Sequence, residues 1–196
     1  MGQDIFFPHR RLHAQMLRPY VITDNSKGRE FINRVLMPHF ASFFTDGDRV
    51  LYVGKQVIWD YSVLFNGPHK QAEFVTSDIE AAVEPDVVDN ICDSQLETDS
   101  FDGVILIGIF DSLKGEGRSS KKVISETHRI LKPGGRLFAA IDGKPNGAYD
   151  PVSAWPDFYV DEVYYIWGKT HKMEEGVGWY GMGPNQVIIL IMRNRL

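Results

Sequence analysis

The chain has 196 residues, 43% of them apolar, which is typical of one compact domain. Its formal net charge is −5, which disfavours a general nucleic-acid binder because such a protein needs a large basic surface. The sequence shows neither a secretory signal nor an apolar run approaching the roughly 18 residues of a membrane helix, so we expect a cytoplasmic protein without a membrane partner.

An N-terminal helical arm, residues 1–46, is predicted to precede one main domain, residues 47–196. Within the arm, a basic helix is expected at 5–20 and a second helix from Asn25 onward. Apolar residues of the second helix recur at helical spacing, namely Phe31, Ile32, Val35, Leu36, Phe40 and Phe43. Pro38 is expected to kink this helix or to end it early.

The main domain alternates strands with helices through about residue 141. A helix is predicted at 119–131, and strands at 49–53, 73–79, 86–91, 101–110, 135–141, 162–168 and 186–194. The alternation predicts an α/β fold with a doubly wound, mostly parallel seven-stranded sheet. The last two strands have no clear helix between them, so we expect them to form an antiparallel closing hairpin.

Polar residues and glycines follow several predicted strands, at the sheet edge where ligands of doubly wound folds bind. Gly54 follows the first strand, and a glycine there lets the backbone approach a ligand closely. Asp78 ends the second strand 24 residues later, a spacing at which an acid typically holds ribose hydroxyls. Asn90 and the N–H of Ile91 follow the third strand, where an amide could contact an adenine edge.

Residues 48–141 resemble a class I S-adenosylmethionine-dependent methyltransferase, and most closely the small members met in glycan and secondary-metabolite pathways. The most specific motifs are FDGVILIGIFDSL (101–113) and ETHRILKPGGRLFAAI (126–141). The acidic DI after the second strand and the segment PDVVDNI (85–91) also fit the family pattern. The resemblance implies a Rossmann-like methyltransferase fold and S-adenosylmethionine as the cofactor.

The resemblance also implies roles at the nucleoside end of that cofactor. Asp78 would bind the ribose, and Ile79 would pack on the adenine. Asn90 stands where the family usually has an aspartate that contacts the adenine amino group, and Ile91 would offer its backbone N–H to the ring.

At the methionine end, the resemblance implies that Val53, Gly54 and Lys55 lie beside the cofactor, with Lys55 or Gln56 within reach of its carboxylate. Ile107 and Gly108 would form the floor beneath the sulfonium.

The glycine motif departs from the family pattern of a strand, an acid and then G-x-G-x-G. Tyr52 replaces the acid, and Gln56 and Ile58 replace the second and third glycines. Two hypotheses therefore stay open. One is a methyltransferase acting on a small-molecule or glycan-type acceptor. The alternative is a non-catalytic methyltransferase-like module that serves protein interaction, with Gln56, Ile58 or Trp59 filling the cleft.

In the enzymatic hypothesis, Asp111 is the predicted catalytic base, although a helix N-cap or a surface turn explains its position slightly better. Acceptor selection would come from the N-terminal arm and from Trp155, Trp179 and Tyr180, unless these aromatics only pack within the hairpin. The sequence leaves the oligomeric state open, a homodimer included.

No metal site is predicted. His9 and His13 lie four residues apart, a spacing that metals use, but no third ligand accompanies them. Cys92 is the sole cysteine, which excludes an intrachain disulfide, and it is expected to be buried.

Overall fold

The computed structural model describes residues 21–22, 32–55, 61–65, 71–110, 113, 119–142, 154–166 and 187–195, and every statement below concerns these residues. The predicted basic helix at 5–20 and the start of the second helix at Asn25 lie outside them. Among the helices of this part of the chain, none combines the length and apolarity that a bilayer crossing needs.

The strands are β1 (Val21–Ile22), β2 (Arg49–Val53), β3 (Glu73–Asp78), β4 (Val87–Val88), β5 (Phe101–Ile107), β6 (Leu131–Asp142), β7 (Phe158–Ile166) and β8 (Val187–Asn194). The helices are α1 (Met37–Ala41), which continues a π-helical turn at Ile32–Leu36, α2 (Ser62–Phe65) and α3 (Ser120–Ile130). A 3₁₀ turn, Ala81–Val83, links β3 to β4.

All these strands form one sheet in the order β1-β7-β8-β6-β5-β2-β3-β4. Neighbours from β6 through β4 are parallel, whereas β8 pairs antiparallel with both β6 and β7. The predicted doubly wound sheet with its antiparallel closing pair is therefore confirmed. The short strand β1 was not predicted, and it adds an eighth strand parallel to β7.

Each face of the sheet carries its own apolar core. The first core contains Val123 and Ile130 of α3 together with Trp155, which is fully buried. The second core lies on the other face, where Phe40 of α1 packs edge-on against Phe138 with ring centroids 5.5 Å apart. Helices on both faces are what parallel crossovers require, and they leave the carboxyl edge of the sheet open to a ligand.

The largest boundary differences lie at β4, β6 and β7. Strand β7 begins at Phe158, four residues before the predicted start at 162, and ends at Ile166, two residues before the predicted end at 168. The strand predicted at 86–91 is confined to Val87–Val88, because Asp86 turns its side chain to Thr76 and residues 90–93 form a turn. The helix predicted at 119–131 ends at Ile130, and β6 begins at once with Leu131 instead of residue 135.

The segment around Pro38 combines two helix types. Pro38 is the second residue of α1, which continues the π-helical turn, so its missing N–H removes one hydrogen bond to that turn, and the irregularity falls just before it. Leu36 and Phe40 of the predicted apolar stripe are buried, but Val35 is 48% exposed and does not belong to the buried face.

Candidate functional site

A cleft opens at the carboxyl ends of β2, β3, β4 and β5, on the face of the first core. Its enclosed volume is about 100 Å³, less than the ~300–1,000 Å³ usual for small-molecule sites. The strand order reverses here, since β2 pairs with β3 on one side and with β5 on the other. The cleft is lined by Val53, Gly54, Asp78, Ile79, Asp89, Asn90, Ile91, Cys92, Ile109 and Leu113.

Gly54 turns the chain away from β2 in a conformation that favours glycine. Its φ is +78°, in the left-handed region, and its N–H donates to the carbonyl of Ser77 at 2.8 Å. A Cβ added at Gly54 would lie 2.6 Å from Cδ1 of Ile109. The backbone geometry therefore favours a glycine at this position, and any larger side chain would also require Cδ1 of Ile109 to shift.

Asp78 ends β3 and lies at the cleft, as predicted. Its Oδ1 accepts the N–H of Glu80 at 2.9 Å, which orients the carboxylate at the start of the next turn. Its carbonyl accepts the N–H of Asp89 at 2.9 Å and so joins the ends of β3 and β4. The next residue, Ile79, is 45% exposed and supplies an apolar wall of the cleft.

Asp89 is a lining residue that the sequence analysis missed. Its side chain is buried, and Oδ1 accepts the N–H of Gln95 at 3.0 Å. The second oxygen, Oδ2, is buried with no hydrogen-bond partner. An unpaired buried carboxylate oxygen is costly unless a ligand donor satisfies it.

Asn90 was predicted to contact the adenine amino group, but the unpaired side-chain oxygen belongs to its neighbour Asp89. Oδ1 of Asn90 accepts the N–H of Cys92 at 3.1 Å, so its acceptor oxygen is used within the turn. The acidic residue directly before Asn90 in the sequence was the signal that could have found Asp89. Ile91 and Cys92 also line the cleft and are both more than nine-tenths buried.

The loop that carries Asp89 is held from behind by Arg129 of α3. The guanidinium donates to the carbonyls of Leu96 at 2.8 Å and Ser94 at 3.0 Å, and it pairs with Glu126 at 2.7 Å. These bonds fix the backbone on either side of Gln95, whose N–H binds Asp89. The Glu and Arg of the E-x-x-R motif thus support the cleft from outside it.

Lys55 points away from the lining residues, toward the β3–β4 connection. Its Nζ donates to the carbonyl of Glu84 at 2.5 Å. Close by, Asp86 accepts both the N–H of Thr76 at 2.7 Å and its hydroxyl at 2.6 Å. The hydroxyl bond, the backbone bond and the charge of Lys55 hold the pKa of Asp86 below its ordinary value of 3.8.

Other predicted site residues do not meet in the cleft. Ile107 packs against the second core, on the opposite face of the sheet, and neither it nor Gly108 lines the cleft. Trp155 is fully buried between Phe110 and Phe158, which favours the packing interpretation over acceptor contact.

Several predictions concern residues outside the described part of the chain. They are Asp111, Gln56, Ile58, Trp59, Trp179 and Tyr180. Within the described ranges, no three His, Cys, Asp or Glu side chains come together as metal ligands would.

A family model described as a methyltransferase domain matches residues 67–139. No curated protein matches the sequence. Solved structures do match the fold. A TehB-like S-adenosylmethionine-dependent methyltransferase from Corynebacterium glutamicum is 11% identical with a TM-score of 0.56, and the match covers 87% of this chain and 96% of that one.

Two further structures extend the comparison. The 1,6-didemethyltoxoflavin-N1-methyltransferase of Burkholderia thailandensis, solved with 1,6-didemethyltoxoflavin and S-adenosylhomocysteine, is 13% identical with a TM-score of 0.52 over 87% of this chain and 84% of that one. The [4+2]-cyclase SpnF is 12% identical with a TM-score of 0.56 over 91% and 98%.

The fold is thus the Rossmann-like α/β fold of methyltransferases, with a ligand cleft at its strand-order reversal. The family-model match and this fold together support the class I S-adenosylmethionine-dependent methyltransferase family, as the motifs in residues 48–141 predict.

Proposed function

We propose that this protein binds S-adenosylmethionine in the cleft and transfers its methyl group to a small-molecule or glycan-type acceptor. One observation carries the proposal above all. The buried, unpaired Oδ2 of Asp89 lies in the same cleft as the carboxylate of Asp78, beside an exposed isoleucine and at the strand-order reversal.

The nucleoside end of the cofactor fits these residues. Asp78 offers acceptors for the two ribose hydroxyls, and Oδ2 of Asp89 offers one for the adenine amino group. Ile79 offers an apolar face to the ring, and the N–H of Ile91 is the predicted donor to a ring nitrogen. These groups would complement the two ribose hydroxyls, the adenine amino group and one ring nitrogen.

The methionine end fits less well in the described conformation. Gly54 provides the close backbone approach, but Cδ1 of Ile109 lies over it. Val53 lines the cleft, whereas Lys55 binds Glu84 on the β3–β4 connection. The roles of Lys55, Ile107 and Gly108 toward the cofactor stay predictions.

When bound, S-adenosylmethionine supplies a methyl group on sulfonium that an acceptor atom can attack directly. The chain would contribute chiefly by aligning the acceptor with the methyl–sulfur bond, an effect worth several kcal/mol in well-oriented systems. An oxygen acceptor also benefits from a base, and Asp111 remains the predicted one.

The acceptor class rests on analogy. The Burkholderia methyltransferase was solved with 1,6-didemethyltoxoflavin bound. A glycan-type acceptor is the other class that the motifs favour. A cytoplasmic location, and a homodimeric or other assembly, stay expectations from the sequence.

A non-catalytic module is the second candidate function. The apolar side chain over Gly54 favours it, as do the lost glycines at Gln56 and Ile58. SpnF, a cyclase, demonstrates that this fold also occurs in a protein named for different chemistry.

Isothermal titration calorimetry of the purified protein with S-adenosylmethionine and S-adenosylhomocysteine tests the proposal. We expect binding by the parent protein, and loss of binding in Asp78→Ala with unchanged circular dichroism. Asp93→Ala is the matched control, because Asp93 is exposed and does not line the cleft. No binding by the parent protein at millimolar ligand would refute the cofactor proposal and favour the non-catalytic module.

A further inference from the structure

We propose that the side chain of Ile109 closes the methionine half of the cleft, so that the resting protein accepts a nucleoside but admits the amino-acid chain only after Ile109 moves. This inference rests on the proposed cofactor and concerns the regulation of its site.

The contact with Gly54 gives the geometric argument. Cδ1 of Ile109 lies 2.6 Å and Cγ1 3.8 Å from the position of a Cβ on Gly54. A 2.6 Å separation is shorter than carbon atoms tolerate, so this side chain occupies the space that the glycine would leave for a ligand. Ile109 is 8% exposed, so in this conformation its side chain lies against the protein and not in solvent.

The polarity of the lining leads to the same conclusion. Asp78, Asp89 and Asn90 stand together on the β3–β4 side of the cleft, whereas Ile109 and Leu113 cover the β5 side. The amino-acid end of the cofactor carries an ammonium and a carboxylate, which apolar side chains do not solvate. The polar side therefore suits a nucleoside, and the apolar side excludes the charged end until it opens.

Ile109 is placed where it can move. Strand β5 ends at Ile107, so Ile109 lies in the turn beyond the last residues that β5 pairs with its neighbouring strands. A rotation of its side chain would uncover Gly54 without changing the sheet. The nucleoside residues Asp78 and Asp89 lie on other elements and would stay in place.

The test compares two ligands that share a nucleoside. 5′-Methylthioadenosine lacks the amino-acid chain, and S-adenosylhomocysteine carries it. Ile109→Val removes the one methyl carbon, Cδ1, that lies closest over Gly54. Ile130→Val is the matched control, because Ile130 loses the same methyl from the same core without lining the cleft.

We expect Ile109→Val to lower the Kd for S-adenosylhomocysteine by about 3–10-fold, which is the range of free energy that one buried methyl contributes. The Kd of 5′-methylthioadenosine should change by less than about twofold, because the nucleoside contacts are untouched. Ile130→Val should change neither ligand's Kd.

Two other outcomes are informative. If both ligands bind but Ile109→Val lowers the Kd for S-adenosylhomocysteine no more than Ile130→Val does, the closing role of Ile109 is refuted while the cofactor proposal stands. If no variant binds either ligand, the cofactor proposal fails, and the closing role of Ile109 fails with it.

Discussion

The substitution Asp89→Asn separates a ligand-binding role of this residue from a structural one. The amide side chain would keep an oxygen to accept the N–H of Gln95, which Oδ1 now binds at 3.0 Å. It would place an NH₂ group where the unpaired Oδ2 lies. The shape of the side chain is conserved, while the group facing the ligand changes from acceptor to donor and the negative charge is lost.

Asp89→Asn is expected to preserve or raise the stability of the ligand-free protein and to weaken ligand binding. Without ligand, replacing an unpaired buried carboxylate oxygen by a neutral amide should leave the free energy of unfolding unchanged or raise it by up to ~1 kcal/mol. With ligand, the loss of a hydrogen bond to a charged acceptor costs about 1.5–3 kcal/mol. Since ~1.4 kcal/mol is tenfold in affinity, the Kd for S-adenosylhomocysteine should rise by about 10–150-fold.

Urea denaturation of the ligand-free protein and calorimetry with S-adenosylhomocysteine measure the two effects. Asp93→Asn is the control for the charge change, because Asp93 is exposed outside the cleft. A variant Asp89→Asn that binds S-adenosylhomocysteine as tightly as the parent would refute the assignment of Oδ2 to the adenine amino group. A large loss of stability would instead identify Asp89 as structural.

Two further predictions concern the frame of the site. The buried Asn194 donates from Nδ2 to three carbonyl oxygens at the end of α3, the shortest bond being 2.8 Å. Asn194→Asp should therefore lower the free energy of unfolding by about 3–5 kcal/mol in urea titrations at pH 7, and a loss below about 1 kcal/mol would contradict this capping role. The bonds from Thr76 hold the pKa of Asp86 below 3.8, so the stability they give is present above that pH and is lost as the pH falls through the lower, folded-state pKa. At pH 7 the free energy of unfolding of Thr76→Val should be lower than that of the parent by at most about 1 kcal/mol, since the Thr76–Asp86 pair is exposed. If urea denaturation gives the same difference between parent and variant at pH 7 and at pH 3, this stability does not depend on the ionisation of Asp86.

The strands that sequence patterns predicted best are those buried on both faces. β2 begins and ends at the predicted residues, β8 begins one residue later than predicted, and β5 begins as predicted but ends three residues earlier. Continuous apolar runs bounded by turns leave few alternatives for such strands. The short β4 matched least, since two residues carry too little pattern to fix its bounds.

Within the site, Asp78 lies at the cleft where the sequence spacing expects it, but the unpaired acceptor belongs to Asp89, the neighbour of the predicted Asn90. Which of Asp89 and Asn90 presents a free oxygen to the cleft depends on hydrogen bonds to Gln95 and Cys92 in a turn without strand alternation. A period-two or helical pattern gives no information about such a turn.

The sequence by itself determined the alternation of strands and helices, hence the parallel sheet and the edge at which a ligand binds. It did so because burial on both faces and right-handed crossovers are local and chiral constraints. Only the tertiary structure decided that Ile109 lies over Gly54 and that Lys55 binds Glu84. These contacts join residues far apart in the chain, and they depend on side-chain directions that no spacing rule encodes.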